Sequence, residues 1–361
     1  MTSLSASEVD DAASWNAFVE SARYGAFPQL WEWGELRRAA GWRPLRLAVG
    51  EAAGGEIRAG TQLLLKPIPV IGWHLAYAPR GPIGALDDEA TRTALLAAVR
   101  GVARREKIAT LRVDPEATPE DALGGALSAT PWRAAEKVQP PRTRLIDLSA
   151  SEDDLRGAMK KKHRQYVAKA EREGIEIERF DSSSAPDALE GALDDFNRIY
   201  RLTAERAGFV ARVPAYYVRV WDTMAPRGHA RLSFAMRQGE RVATLFHFTC
   251  GPRAVEAYGG MTDAGAESRA NYLLKWEAIR GFREEGFAVY DVWGLATGGI
   301  ARFKEGFGGR EVEYVGAREL RLRAPVDALL RVAIPAYGAA QRARLRLLGR
   351  RAPAEGVTEA G

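Results

Sequence analysis

The chain has 361 residues, of which 46% are hydrophobic and 27% are charged, with a formal net charge of +5. This length exceeds one ordinary hydrophobic core and predicts two domains, and the composition excludes disorder over most of the chain. The most apolar stretch, residues 63–77, contains Lys66, His74 and two prolines, which excludes a transmembrane helix there. The N-terminal residues carry no secretory pattern and Cys250 has no second cysteine to pair with, so we expect a cytoplasmic protein.

Positive charge is concentrated in two segments. Residues 156–172 carry seven lysines and arginines against one acid, and residues 342–351 carry five arginines and no acid. Such clusters suit a phosphate-rich partner or an anionic membrane surface. A solvated helix face explains each cluster equally well at this stage.

The first part of the chain alternates helical and strand patterns. The pattern predicts, in order, a helix around residues 16–20, a helix at 30–40, strands at 42–49 and 57–66, a helix at 87–107 and a strand at 108–113. A strand, a long helix and a second strand in this order indicate an α/β fold.

A similar set of elements follows residue 145. The pattern predicts a strand at 145–148, a basic helix from Ser151 to Gly174, a strand at 175–178, and helices at 196–206 and 216–224. It then predicts strands at 230–236, 241–249 and 254–258, a helix at 271–285, strands at 287–293 and 310–323, and a helix at 326–348. We therefore predict an α/β (α+β) protein of two similar halves, the second with a largely antiparallel core. The predicted domains are residues 1–147 together with 318–361, and residues 148–317.

The familiar catalytic motifs are missing from the sequence. It contains no G-x-S-x-G, no P-loop, no H-E-x-x-H and no G-x-G-x-x-G after a predicted strand. Cys250 and His247 lie in an apolar strand pattern, which favours buried, inert side chains over a nucleophile or a ligand. We expect neither a metal site nor a cofactor.

One motif stands out, and it spans Phe303 to Gly309. Its glycines allow a tight turn and close approach to a ligand, and its two phenylalanines flank Lys304, a cation able to stabilise developing negative charge. The alternative is a loop with core aromatics and an exposed lysine. Tyr258 lies at the end of a predicted strand, where clefts form in α/β proteins, and Tyr77 and Arg80 lie in a constrained turn. We therefore predict substrate contacts for Tyr77, Arg80 and Tyr258.

Short blocks in a fixed order extend this pattern over residues 15–345. They are Phe27-Pro28-Gln29 with 33–37 and Gly41-Trp42, Tyr77 to Pro82, Asp114-Pro115, Lys162 with Arg164, Gly208-Phe209 with Arg212 and Tyr216-Tyr217, Tyr258 to Gly260, Tyr290 to Gly294, and Phe303 to Gly309. In this order the blocks resemble the FemABX family of peptidoglycan bridge-forming aminoacyltransferases. The resemblance implies two tandem GNAT-like domains with a C-terminal helix that returns to the first domain.

The resemblance also implies a reaction and roles for individual residues. An amino acid would move from aminoacyl-tRNA to an amine of the precursor stem peptide, with the precursor linked to lipid (lipid II) or to UDP (UDP-MurNAc-pentapeptide). Arg37 and Arg212 match residues that hold the precursor diphosphate, Tyr216 matches a tyrosine nearby, and Phe303 and Lys304 match the pair beside the reacting ester. Arg37 stands where the family has lysine, and the long charged helical hairpin of some members is missing.

The chemistry implied needs no metal, cofactor or covalent enzyme nucleophile, because the aminoacyl ester is already activated. Lys304 would stabilise the oxyanion or the departing ribose hydroxyl. Asp114 is either the acceptor of the ammonium proton or part of a strand-ending turn.

The basic helix is the predicted tRNA-binding element. Leu155, Met159, Tyr166 and Ala170 recur at roughly helical spacing and would pack inward. Lys160, Lys161 and Arg164 would then form an outward face that contacts tRNA phosphates, with an anionic membrane surface as the alternative partner.

Two other functions stay open on the sequence. An acyl-CoA-dependent N-acyltransferase of the same fold would hold pyrophosphate at a glycine-rich strand–helix turn, and residues 262–269 lack that spacing. A non-catalytic module that binds polyanions or membrane would explain the basic clusters but not the Phe303–Gly309 motif. A peripheral position at the inner face of the membrane remains an alternative to a purely cytoplasmic one.

Overall fold

A computed structural model of the chain describes residues 4–51, 55–68, 71–295 and 298–326. The predicted helix at 326–348 and the arginine cluster at 342–351 lie outside the described residues, apart from residue 326. The strands are β1 Leu4–Glu8, β2 Arg43–Glu51, β3 Ile57–Ile68, β4 Trp73–Ala78, β5 Ile83–Gly84, β6 Ile108–Val113, β7 Arg133–Ala134, β8 Arg142–Asp147, β9 Glu176–Phe180, β10 Ala230–Arg237, β11 Glu240–Cys250, β12 Arg253–Met261, β13 Val289–Asp291, β14 Arg310–Glu313 and β15 Arg318–Arg321.

The helices pack on the faces of these strands. They are α1 Ala12–Ser21, α2 Trp31–Arg38, α3 Glu89–Arg105, α4 Ala122–Ser128, α5 Glu152–Ala158, α6 Lys161–Arg172, α7 Pro186–Ala207, α8 Pro214–Met224, α9 Asp263–Ser268, α10 Ala270–Glu284 and α11 Gly299–Glu305, with 3-10 turns at Phe27–Gln29 and Ala225–Arg227. Helix α3 shows why these segments are helical: Asp88 caps its first turn, and Leu95, Val99 and Val102 form its buried stripe.

The strands form two mixed sheets with the same internal plan. The first has the order β1-β2-β3-β4-β6-β15-β7, with β5 paired to β3, and the second has the order β14-β8-β13-β12-β11-β10-β9. Neighbouring strands are antiparallel except for one parallel pair in each sheet, β4 with β6 and β12 with β13. A long helix, α3 or α10, links the two strands of each parallel pair, because a parallel connection needs a crossover. The predicted α/β fold with two similar halves is confirmed.

Strand pairing differs from the predicted domain boundaries at one point. Strand β8, residues 142–147, pairs with β13 and β14 of the second sheet, although the predicted boundary placed it in the first domain. The single strand predicted at 310–323 is two strands in different sheets, because the chain turns at Gly316 with a φ of 75°. The chain thus returns to the first sheet at Arg318.

A shared aromatic core joins the halves. Phe27 from the first half stacks on Phe248 of β11 at a centroid distance of 4.3 Å, and it contacts Trp33 and Trp293 edge-on or tilted at 5.1 and 5.4 Å. All four side chains are almost fully buried. Burial of such rings on both sides holds α2 against the second half.

A buried chain of charges crosses the same boundary. Glu116, which follows β6, pairs with Arg253 of β12 and lies 3.4 Å from Nε of Arg80. Arg253 also donates to Asp291 of β13 and, at 3.0 Å, to the Tyr314 hydroxyl. Since buried ions need partners, this chain favours one relative position of the two sheets.

We predict that Glu116→Ala destabilises the protein strongly. The substitution leaves the buried guanidinium of Arg80 and the largely buried guanidinium of Arg253 without their shared carboxylate. Loss of one partner from a buried pair costs about 3–5 kcal/mol. Urea unfolding followed by circular dichroism measures the free energy of unfolding.

The matched control is Glu311→Ala. Glu311 pairs with Arg142 at 2.6 Å at an exposed site, where an ion pair contributes at most about 1 kcal/mol. Equal losses for the two variants would contradict the role assigned to Glu116.

Candidate active site

Five of the predicted substrate-binding residues form one cluster between the halves. Arg37 in the last turn of α2 lies within electrostatic range of Tyr216 of α8, of Arg212 in the loop before α8, and of Tyr77 and Tyr258 on β4 and β12. The packing of α2 on α8 brings them together. We call these five residues the arginine–tyrosine cluster.

The cluster carries two positive charges that no carboxylate of the described residues neutralises. Arg37 and Arg212 form no ion pair there, and Nε of Arg37 is buried without a hydrogen-bond partner. Burial lowers the pKa of Arg37, and the charge of Arg212 lowers it further, against the opposing effect of Tyr216. The guanidinium of Arg212 lies 4.8 Å from the ring centre of Tyr216. Adjacent unpaired cations of this kind form a site for an anion.

Asp114 holds the Tyr77–Arg80 turn, which contributes Tyr77 to the arginine–tyrosine cluster. Tyr77 donates to Asp114 at 2.8 Å, and the backbone N–H of Arg80 donates to the other carboxylate oxygen at 2.7 Å. Burial raises the pKa of Asp114 to about 6. Asp114 therefore holds the turn in which Arg80 adopts a φ of 54°.

The predicted substrate contact of Arg80 is wrong in this structure. Its side chain is only 2% exposed and is held by Glu116 and, at 2.9 Å, by the carbonyl of Pro140, with the rings of Trp293 and Tyr314 over its guanidinium. These partners lie far away in the sequence, so an arginine in a tight turn gave no sign of its burial. Arg80 belongs to the charge chain between the sheets.

Phe303 and Lys304 lie in the last turn of the short helix α11 instead of in a loop. Both side chains are half-buried. Lys304 donates to the backbone carbonyl of Trp293 and, at 3.1 Å, to that of Gly294. Two carbonyl dipoles orient its ammonium beside the end of β13.

The glycines of the motif permit close packing within the protein. A Cβ at Gly306 would lie 1.9 Å from Nε2 of His163, and a Cβ at Gly309 would lie 2.5 Å from the carbonyl oxygen of Leu145. His163 in turn contacts the carbonyl of Phe303 at 3.1 Å and packs edge-on against Phe307. The predicted close approach is therefore made by α6 and β8, and it fixes the motif against the basic segment.

The basic helix predicted at 151–174 is two helices, α5 and α6. The break falls at Met159 and Lys160, where the backbone N–H of Lys160 donates to the carbonyl of Gly306 at 2.9 Å. The buried face of α6 is formed by His163, Val167 and Ala170. Tyr166, which the sequence predicts to pack inward, is only half-buried.

The three cations predicted to bind tRNA have different environments. Lys160 and Lys161 are exposed, and Lys160 lies 3.7 Å from Glu305 of α11. Arg164 instead donates through Nη1 to the carbonyls of Gly157, at 3.1 Å, and Met159 at the end of α5. Arg164 thus joins the two helices, a role that a single-helix prediction could not include.

A buried polar network behind Lys304 escaped the sequence analysis. Lys275 of α10 is fully buried and lies 3.0 Å from Glu256, which accepts a hydrogen bond from Tyr290 at 2.5 Å, and Tyr290 contacts His247 at 2.9 Å. Burial lowers the pKa of Lys275 to about 8 and that of His247 to about 4. The rings of Phe303 and Phe307 lie 5.3 and 5.2 Å from the Lys275 ammonium.

One signal in the sequence could have revealed this network. Lys275 lies four residues before Ile279 and therefore shares the apolar stripe of its helix. A lysine at such a position is almost never buried unless it has a partner. Cys250, by contrast, is buried, and burial raises the pKa of its thiol, as expected for an inert residue.

Two family models of known proteins match this chain, one in each half. The FemAB family model matches residues 11–122, and a model of the acetyltransferase (GNAT) domain matches residues 157–305. Both fall on the halves that carry the arginine–tyrosine cluster and the Phe303–Lys304 pair. Both halves of the chain therefore resemble the FemABX family.

Individual relatives agree with this assignment. The lipid II:glycine glycyltransferase of Staphylococcus aureus strain MRSA252 is 29% identical over 228 residues, and that of Staphylococcus haemolyticus strain JCSC1435 is 30% identical over 228 residues. Each alignment covers 60% of this chain and 52% of the relative, so the chain spans about half the length of the curated relatives it matches.

Solved structures share the fold. The crystal structure of FemX matches with a TM-score of 0.80 at 20% identity, covering 90% of this chain and 99% of that one. A tandem GNAT protein from the clavulanic acid biosynthesis pathway matches with a TM-score of 0.53 at 12% identity, over 89% and 99% of the two chains. The predicted FemABX resemblance and the tandem GNAT-like fold are both confirmed.

We predict that Asp114 makes the stability of the protein depend on pH. Between about pH 4 and 6 the folded protein keeps a proton on Asp114 that the unfolded chain has released, so this residue lowers the free energy of unfolding as the pH rises. Asp114→Asn should remove this dependence, because it keeps the shape of the turn without the titration.

Urea unfolding of both proteins across this pH window measures the difference. The stability of the wild type should fall relative to the variant from pH 4 to pH 6. If the difference in the free energy of unfolding between the wild type and the variant stayed constant over this pH range, the pKa assigned to Asp114 would be contradicted.

Proposed function

We propose that this chain is an aminoacyltransferase that moves an amino acid from aminoacyl-tRNA to an amine of a peptidoglycan precursor stem peptide, building the interpeptide bridge. The observation that carries the proposal is that two cationic side chains, Arg37 and Arg212, lie near each other and form no ion pair with a carboxylate of the described residues. They do so in a fold that resembles the FemABX family. The relatives named lipid II:glycine glycyltransferase support the same reaction class.

The arginine–tyrosine cluster supplies the precursor site. A diphosphate carries two adjacent anionic groups, and two guanidinium groups can bind it through charge-assisted, bidentate hydrogen bonds. The half-buried position of Arg37 strengthens such contacts, because water screens them less. Arg37 comes from the first half and Arg212 from the second, so the bound precursor would lie across the boundary between them.

Lys304 supplies the electrostatic part of the reaction. The acceptor amine attacks the ester carbonyl, a C–N bond forms, and the C–O bond to the tRNA ribose breaks, with the ribose oxygen taking up the proton that the amine loses. The negative charge that develops on the carbonyl oxygen or on the leaving ribose oxygen needs a fixed cation close by. The carbonyls of Trp293 and Gly294 hold the Lys304 ammonium in one place, so little reorganisation is required.

The exposed lysines at the start of α6 supply the tRNA contact. Lys160 and Lys161 lie beside the Phe303–Gly309 motif, because the Lys160 backbone is bonded to Gly306. Contacts between these ammonium groups and tRNA phosphates would bring the aminoacyl end close to Lys304. Arg164 is left out of this face, since it links α5 to α6.

The acyl-CoA alternative has less support. The turn between β12 and α9 would have to bind pyrophosphate through free backbone N–H groups. The N–H groups of Thr262 and Ala266 already donate to backbone carbonyls, and that of Gly265 donates to the Thr262 hydroxyl at 3.2 Å. A purely polyanion-binding module would leave the Lys304 environment without a role.

We predict that Lys304→Met abolishes most of the transfer while the protein stays folded. Loss of one preorganised charge at a developing oxyanion lowers kcat roughly a hundredfold to a thousandfold. Arg302→Met is the matched control, since Arg302 is an exposed cation of the same helix. A Lys304→Met protein that turns over like the control would exclude this role.

We predict that Arg37→Ala and Arg212→Ala each raise the KM for the diphosphate-bearing precursor, with a smaller effect on tRNA binding. Charge-assisted hydrogen bonds contribute about 1.5–3 kcal/mol each, which corresponds to roughly a tenfold to hundredfold change. Arg38→Ala removes the neighbouring exposed arginine and serves as the control. Normal calorimetric binding of precursor by both cluster variants would show that the diphosphate lies elsewhere.

A further inference from the structure

Exposed large apolar side chains gather on one surface of the protein. In the described parts of the chain they are Leu202, Val210, Val213 and Val218, with exposures of 39, 58, 69 and 37%. All of them lie within the end of α7, the following loop and the start of α8. We call this the 202–218 surface. Apolar residues grouped in this way mark an interaction site more often than residues scattered singly.

The loop in this surface is fixed, so the exposure of its valines is not a consequence of a loose chain. The backbone N–H groups of Gly208 and Phe209 both donate to the carbonyl of Ala204, at 2.8 and 3.1 Å. The ring of Phe209 packs on Tyr200 at 5.5 Å. The N–H of Arg212 donates to the hydroxyl of the buried Tyr217 at 3.2 Å. Aromatic residues thus anchor the loop inward while the valines point outward.

The segment that carries the apolar residues has a net positive charge. Residues 201–219 contain four arginines and one glutamate. Arg206 pairs with Asp263 at 2.8 Å, whereas the exposed Arg201 and Arg219 form no ion pair with any described residue. Apolar residues framed by unpaired arginines are the combination that binds an anionic lipid surface.

We propose that the 202–218 surface docks on an anionic membrane, with Val210 and Val213 entering the headgroup region and Arg201 and Arg219 contacting lipid phosphates. This inference rests on the proposed function and makes the acceptor a lipid-linked precursor. Arg212, in the same loop, belongs to the arginine–tyrosine cluster, so docking brings the diphosphate site to the level of the lipid headgroups. A second copy of the chain is the other occupant, and the test below distinguishes it from a membrane.

The test measures co-sedimentation with vesicles of equal parts phosphatidylglycerol and phosphatidylethanolamine, and with vesicles of phosphatidylcholine alone. The wild type should bind the anionic vesicles more tightly. Val210→Gln combined with Val213→Gln should weaken that binding roughly tenfold or more, because both side chains lose their apolar contribution. Arg201→Gln combined with Arg219→Gln should remove the preference for anionic lipid.

Matched controls separate docking from charge loss and from misfolding. Arg100→Gln combined with Arg104→Gln removes the same charge from the exposed face of α3 and should leave vesicle binding unchanged. The valine variant should keep wild-type thermal unfolding and wild-type transfer to a soluble UDP-linked precursor, and should lose transfer to a lipid-linked precursor in vesicles.

Three results would overturn the inference. They are wild-type binding to neither kind of vesicle, unchanged vesicle binding by the valine variant, and a wild-type dimer without vesicle affinity that the valine substitutions dissociate in sedimentation experiments. If the wild type binds vesicles as expected but transfers nothing to either the soluble or the lipid-linked precursor, the proposed function fails and the docking surface stands.

Discussion

A buried chain of charges between the two sheets is the constraint on which the site depends. Arg80 and Glu116 come from the first half and Arg253 and Asp291 from the second, and each ion has its partner across or beside the boundary. Buried ions tolerate no shift that separates them from their partners. The position of the sheets is therefore set, and with it the meeting of Arg37 from one half with the α8 region of the other.

Contacts within the protein also fix the position of Lys304 relative to the basic segment. Gly306 lets His163 approach the motif, and the backbone of Lys160 is bonded to that glycine. The basic segment is thus attached to the helix that carries Lys304, and the buried Lys275–Glu256 pair lies behind it. A polyanion bound to the exposed lysines would have its position defined relative to the reacting group, which is how a transferase gains rate from proximity.

The sequence predicted the parts that depend on local patterns. The repeated order of strands and helices follows from periodicity. Tyr77 and Tyr258 follow from local motifs, whereas Arg37, Arg212 and Tyr216 were implied only by the resemblance to the FemABX family. The predictions that were wrong failed because of contacts between residues that are distant in the sequence. The basic helix breaks because Lys160 is bonded to the distant Gly306, the strand at 310–323 divides because its ends join different sheets, and Arg80 is buried by ions from far along the chain.

Mass spectrometry of the precursor after incubation with charged tRNA tests the central claim most directly. The protein is mixed with total aminoacyl-tRNA and with either UDP-linked or lipid-linked precursor. The account predicts that the precursor gains the mass of one aminoacyl residue and that ribonuclease treatment of the tRNA abolishes the gain. An unchanged precursor mass with charged tRNA, together with acylation from an acyl-CoA, would contradict it.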